Sequence, residues 1–253
     1  MIERDIFVRR LDGLLEVEGV SDWGPNGLQV QGVAEIERVV TGVTASLELI
    51  EAARDRGAQA LVVHHGIFWG HQSPVLVGSL LKRVRALLDA GITLCGYHLP
   101  LDRHPDVGNN APALRELGCT DLEPFAHAKG VSVGWKGRFE TPITPDDLLS
   151  RISDVYGVKA PTAFLDGPAE IRTLGLVSGA AQGELSTAVG EGLDAFMTGE
   201  VSEYNFHLAK EEGIHHVSIG HHASERIGPR CLARWIGENL GVEAEFIDVP
   251  NPI

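Results

Sequence analysis

Short apolar runs recur along this chain at 38–43, 59–65, 91–98, 171–177, 193–198, 214–220 and 243–249, and stretches of helical spacing separate most of them. Strands this short cannot bury both faces by pairing alone. Alternation with helices predicts an α/β fold with largely parallel pairing. The helices are expected at 46–57, about 75–90, 182–191, 202–212 and 223–240. A further amphipathic helix is expected at 3–18, where Phe7, Leu11, Leu14 and Leu15 share one face. The texture changes in the middle. Residues 119–130, with Pro124 and Gly130, read as a linker, and 131–140 alternates like an antiparallel strand.

An internal echo accompanies the alternation. Laying 38–66 over 173–201 without gaps places Ala45 on Ala180, Ala53 on Ala188, Gly57 on Gly192 and Ala60 on Ala195. The strand–helix–strand pattern coincides too. GITLCGYH and GIHHVSIGHH then match in kind, each following a helix and ending in histidine. The expectation is two similar α/β sandwich domains related by an internal pseudo-duplication, one over 1–125 plus 220–253 and one over 126–219.

With 253 residues, the chain buries enough surface to fold without a disulfide or metal staple. Lys and Arg number 21 against 35 Asp and Glu, a net charge of −14, which argues against nucleic acid as a partner. Cys95, Cys119 and Cys231 are too few and too scattered for a disulfide framework. The N-terminal MIERDIFVRR carries charges where a signal peptide needs an apolar run, and no stretch is apolar enough to span a membrane. A cytoplasmic protein with no membrane partner is expected.

Functional groups in an open α/β sheet gather beyond the carboxyl ends of the strands, and three of the expected strands end in histidine. These are His64-His65, then His98 with Asp102 four residues on, then His221-His222 with Glu225 four residues after the first of the pair. Neighbouring residues on a strand face opposite ways. For His64 and His65 to share a site the strand must have ended, and Gly66 permits a turn there. Imidazoles with carboxylates and no thiolate suit Zn, Fe or Mn. Five or six such groups exceed what one catalytic ion usually needs and fit a pair of divalent ions. In the repeat overlay His65 falls on Glu200, which joins His98 as a candidate for moving protons. His71, His104, His127, His207 and His215-His216 need no function. Cys95, inside an apolar run, reads as structural. Phe68 and Trp69 read as a plug at the end of the sheet, with a pocket wall as the other reading. No phosphate loop, dinucleotide fingerprint or nucleophile elbow is present.

VVHHGIFW (62–69), YHLPLDRHPDVGNN (97–110), TGEVSEYNFHLAKEEG (198–213) and GHHASER (220–226) together resemble the Nif-three-like family of dinuclear metal-centre proteins, whose bacterial members are often labelled homologues of a type 2 GTP cyclohydrolase I. The resemblance runs in order along the whole chain. It implies metal ligation by His64, His65, Asp102, His221 and Glu225, with His98 close to the metals and Glu200 in the family's T-G-E segment. It also implies two α/β domains and a ring-shaped homohexamer with the metals facing inward. HLPLD at 98–102 departs from many members between the His and the Asp, which bears on pocket shape.

The expected activity is a dinuclear metal-dependent hydrolase acting on a nucleotide-like substrate, through GTP ring opening or phosphoester hydrolysis. His98 and Glu200 would be its proton-transfer groups. The alternative is a non-enzymatic metal-binding ring, a scaffold or regulatory adaptor.

Overall fold

A computed structural model describes residues 1–253. In chain order the elements begin with β1 (Ile2–Glu3), α1 (Arg4–Leu14), β2 (Gly27–Val30), β3 (Glu35–Ile36), β4 (Arg38–Thr44), α2 (Leu47–Asp55), β5 (Ala60–His65), α3 (Gly78–Ala90), β6 (Thr93–Gly96) and α4 (Leu99–Arg103). There follow α5 (Ala111–Glu116), β7 (Cys119–Ala128), β8 (Val131–Ile143), α6 (Pro145–Tyr156), β9 (Thr162–Leu165) and β10 (Ile171–Val177). The chain closes with α7 (Leu185–Gly190), β11 (Ala195–Thr198), α8 (Glu203–Glu212), β12 (His215–Ser218), α9 (His221–Ser224), α10 (Ile227–Leu240) and β13 (Glu243–Phe246). No helix is long and apolar enough to cross a membrane.

The chain divides into two compact units, 1–108 with 228–250, and 109–227 with 251–253. The sequence pattern places these boundaries at 125/126 and 219/220 instead. Residues 119–125 lie in the second unit because β7 pairs antiparallel with β8. That stretch is therefore a strand and not the expected linker. Its Pro124 is tolerated because β7 is the edge strand of its sheet, where a missing N–H breaks no ladder on the outer side. The single helix expected over 223–240 is two, α9 and α10, broken at Glu225 and Arg226. The helix expected over 3–18 stops at Leu14, and Glu16 beyond it has a positive φ of 49°.

In the first unit the sheet runs β13-β4-β5-β6-β2. Its central strands are buried on both faces, and their period-2 alternation divides the core. Val39, Ala60, Val62, Cys95 and Tyr97 pack with Phe7 and Leu11 of α1 and with Leu232 and Ile236 of α10. Val40, Leu61, Val63 and Leu94 pack with Leu49, Ile50 and Ala53 of α2 and with Val84 and Leu87 of α3. Complete burial raises the Cys95 thiol to about 12, which fits its structural reading.

In the second unit the sheet runs β7-β8-β10-β11-β12-β9. Four of its strands repeat the first sheet. β4, β5 and β6 are mutually parallel, as are β10, β11 and β12, and β2 in the first sheet and β9 in the second run antiparallel beside the last member of the trio. The register repeats as well: Val39 sits opposite Ala60, and Leu174 opposite Ala195, the positions that the gap-free overlay superposes. Gly57 and Gly192, at φ 67° and 69°, close corresponding helices. Gly91 and Gly213, at 65° and 68°, cap α3 and α8 in the left-handed conformation that glycine adopts without strain.

The second unit buries one imidazole that no acceptor or donor of the protein meets. His216 on β12 is fully buried between Phe196 and Phe164, with ring centroids at 5.7 and 5.9 Å. Burial lowers it from the usual 6.5 to about 4. The folded chain therefore holds it neutral while the unfolded chain protonates it, so stability falls as pH drops from 6.5 toward 4. His216→Phe removes that effect. Urea unfolding at pH 7 and pH 5 should show the variant losing about 2 kcal/mol less stability than the native chain over that interval. Equal losses in both chains would contradict this placement of His216.

Candidate metal centre

The first unit gathers its site at the ends of β5 and β6. His64 and His65 close β5, and their rings approach to 4.6 Å although they are neighbours on a strand. β5 runs through His65, which pairs with Thr44, and ends before Gly66. Gly66 also leaves room for a neighbouring side chain. A Cβ there would lie 2.2 Å from the Gln29 side chain, which accepts the Ile67 N–H. His98 follows β6 and caps α4, so that His98 and Asp102 share one helical turn and not a loop. The Asp102 N–H donates to the His98 carbonyl at 3.1 Å. The ligand atoms of His64, His65 and His98 lie within 4.8 Å of one another.

In each of these rings Nδ1 has a partner. His64 Nδ1 donates to the Tyr97 carbonyl at 3.1 Å, His65 Nδ1 meets Thr44 Oγ1 at 3.3 Å, and His98 Nδ1 donates to Asp22 at 2.8 Å. A carbonyl and a carboxylate only accept, so Nδ1 of His64 and Nδ1 of His98 each carry a proton. His64 Nε2 is 3.6 Å from Asp102. Histidines that bind metals usually have this arrangement, one nitrogen fixed by an acceptor and the other presented.

Asp22 was not anticipated. It lies in the loop SDWGPNG, where no periodicity marks it, and its partner is distant in sequence. Its side chain is 1% exposed. It accepts from Trp23 N, Asn26 Nδ2, His98 Nδ1 and Leu99 N at 2.6 to 3.0 Å. Burial pushes the carboxyl up, but these donors, His98 first among them, outweigh it and hold Asp22 below the usual carboxylate range.

The second unit repeats the principle at the ends of β11 and β12. His221 Nδ1 is 2.7 Å from Glu200, and its Nε2 is 3.1 Å from Glu225. Burial pushes the His221 imidazole down, yet Glu225 and then Glu200 more than reverse this and raise it to about 9. Each nitrogen of His221 thus faces a carboxylate. Gly179 was also missed. Its φ is +69°, and a Cβ there would lie 2.4 Å from Glu225 and 3.3 Å from His221 Nε2. The repeat overlay sets Gly179 on Thr44, the residue that holds His65. His222 points elsewhere: its N–H donates to the Ile253 carbonyl, and the side chain is buried.

The structure thus brings together His64, His65, His98 and Asp102 in one unit, and Glu200, His221 and Glu225 in the other. The model of the Duf34/NIF3 (NGG1p interacting factor 3) family matches residues 2–252. The chain is 43% identical over 242 residues to a Pasteurella multocida protein named GTP cyclohydrolase 1 type 2 homolog, covering 96% of each. The solved structure of protein ybgI, described as of unknown function, is 39% identical and superposes with a TM-score of 0.93 over 100% of both chains. TTHA1606 from Thermus thermophilus is 34% identical, with a TM-score of 0.90 over 100% of both.

Asp22→Asn should release the His98 tautomer. Long-range 1H–15N spectra of the native chain should show His98 protonated on Nδ1, and the variant should show a mixture or the Nε2 form. An unchanged His98 signature would refute this role for Asp22.

Proposed function

This chain belongs to the Duf34/NIF3 family, and from that premise we propose that it is a dinuclear metal-dependent hydrolase acting on a nucleotide-like substrate. One observation carries the reading: His64, His98 and His221 have Nδ1 tied to acceptors, and Nε2 of His64 and of His221 each lies beside a carboxylate. His64, His65, Asp102, His221 and Glu225 would hold two divalent ions. Nitrogen and carboxylate donors without thiolate favour Zn, Fe or Mn. Such ions lower the pKa of a coordinated water toward neutrality and polarise carbonyl or phosphoryl oxygens.

The remaining roles fall to side chains. Asp22 fixes His98 with a basic Nε2, and that atom accepts the proton of the attacking water and returns it to the leaving nitrogen or oxygen. Glu200 orients His221 and shares its proton. The names of the relatives support GTP as the first substrate to try, with opening of the guanine imidazole ring as the reaction. Phosphoester hydrolysis is the other use of the same groups. The family resemblance also carries the proposal of a homohexameric ring, which sedimentation would read as one species of hexamer mass.

Metal content by mass spectrometry tests the reading. The native chain should carry about two ions, and Asp102→Ala and Glu225→Ala should each carry fewer. His98→Ala should keep its ions while turnover, followed as loss of the guanine absorbance or release of phosphate, falls at least about 100-fold. A native chain with two ions and no turnover would leave the scaffold or adaptor reading. A native chain with no bound ion would overturn the metal centre.

A further inference from the structure

Of the four tryptophans, Trp23 alone is exposed, at 44%. Its indole stands 5.7 Å from the His98 ring at 63°. Trp69 stands 5.3 Å from the same ring at 85°, and 5.8 Å from His65. His71 extends this surface, 6.5 Å from Trp69 at 32°. Phe68 behaves differently and packs into the core beside α2 and α3. The plug expected of Phe68 and Trp69 thus applies to Phe68, while Trp69 faces the histidines.

These indoles are held on fixed backbone. Gly70 N–H donates to the Trp23 carbonyl at 2.7 Å. A Cβ at Gly24 would lie 2.5 Å from the Phe68 carbonyl oxygen, so the two loops cross where only glycine fits. The buried Asp22 anchors the residue before Trp23. An exposed, large aromatic on an immobilised loop has its ordering already in place before a ligand arrives. Residues 21–27 and 64–72 contain no Lys or Arg. What these loops offer a ligand is a π face and not a charge.

We propose that Trp23 and Trp69 form an aromatic subsite beside His98 that binds the planar heteroaromatic ring of a purine nucleotide by stacking. This rests on the reading of the neighbouring groups as a centre for divalent ions, which would meet the nucleotide's anionic part. Indole stacking accepts any base, so adenine and guanine nucleotides bind alike, and selection between them arises elsewhere.

The test is calorimetric titration of the zinc-loaded full-length chain with GTP, ATP and inorganic tripolyphosphate. It is run on the native chain, Trp23→Ala, Trp69→Ala and Trp69→Phe, with metal content measured on each. The alanine variants should bind both nucleotides roughly 10- to 100-fold more weakly while binding tripolyphosphate as before. Trp69→Phe should keep most of the nucleotide affinity and all of the metal. Nucleotide affinity unchanged in the alanine variants, nucleotides and tripolyphosphate weakened together, or native nucleotide affinity no better than that of tripolyphosphate would each overturn the proposal. The two readings fail separately. Tryptophan-dependent GTP binding without turnover sinks the hydrolase and keeps the subsite. Turnover with unchanged affinity in the variants does the reverse.

Discussion

An imidazole has two nitrogens, and it becomes a dependable ligand or base only when one of them is fixed. Everything proposed for this chain depends on that constraint. The acceptors are of two kinds: a main-chain carbonyl at Tyr97 for His64, and carboxylates at Asp22 for His98 and at Glu200 for His221. Each comes from a segment remote in sequence from its histidine. The fold, by bringing strand ends and loops together, decides which nitrogen is presented.

The duplicated topology explains why such groups recur. A parallel trio ends its three strands on the same side, and each sheet contains one. The copies have diverged at the positions that matter. Where the first unit has Thr44 beside His65, the second has Gly179, which makes room for Glu225 and His221. Where the first has His65, the second has Glu200. One framework thus supplies imidazoles in one place and carboxylates in another.

The strand ends were legible because apolar runs and their terminal histidines are local features, and the repeat was legible because glycine caps and small residues keep their spacing. Other features were hidden for identifiable reasons. Pro124 marked 119–130 as a linker, since a sequence does not say which strand lies at an edge. His98 and Asp102 looked like loop residues because HLPLD has a proline, which is at home in the first turn of a helix such as α4. Asp22 carries no local signal, because its meaning lies in a contact across 76 residues. Gly179 is silent likewise, since its lack of a side chain matters only beside Glu225.

The most direct test is anomalous X-ray diffraction from crystals of the zinc-loaded protein. The account predicts anomalous peaks about 2.0–2.1 Å from Nε2 of His64 and of His221, with Nδ1 of each still on Tyr97 and Glu200. Ions bound through Nδ1, or peaks only at sites away from these histidines, would contradict it.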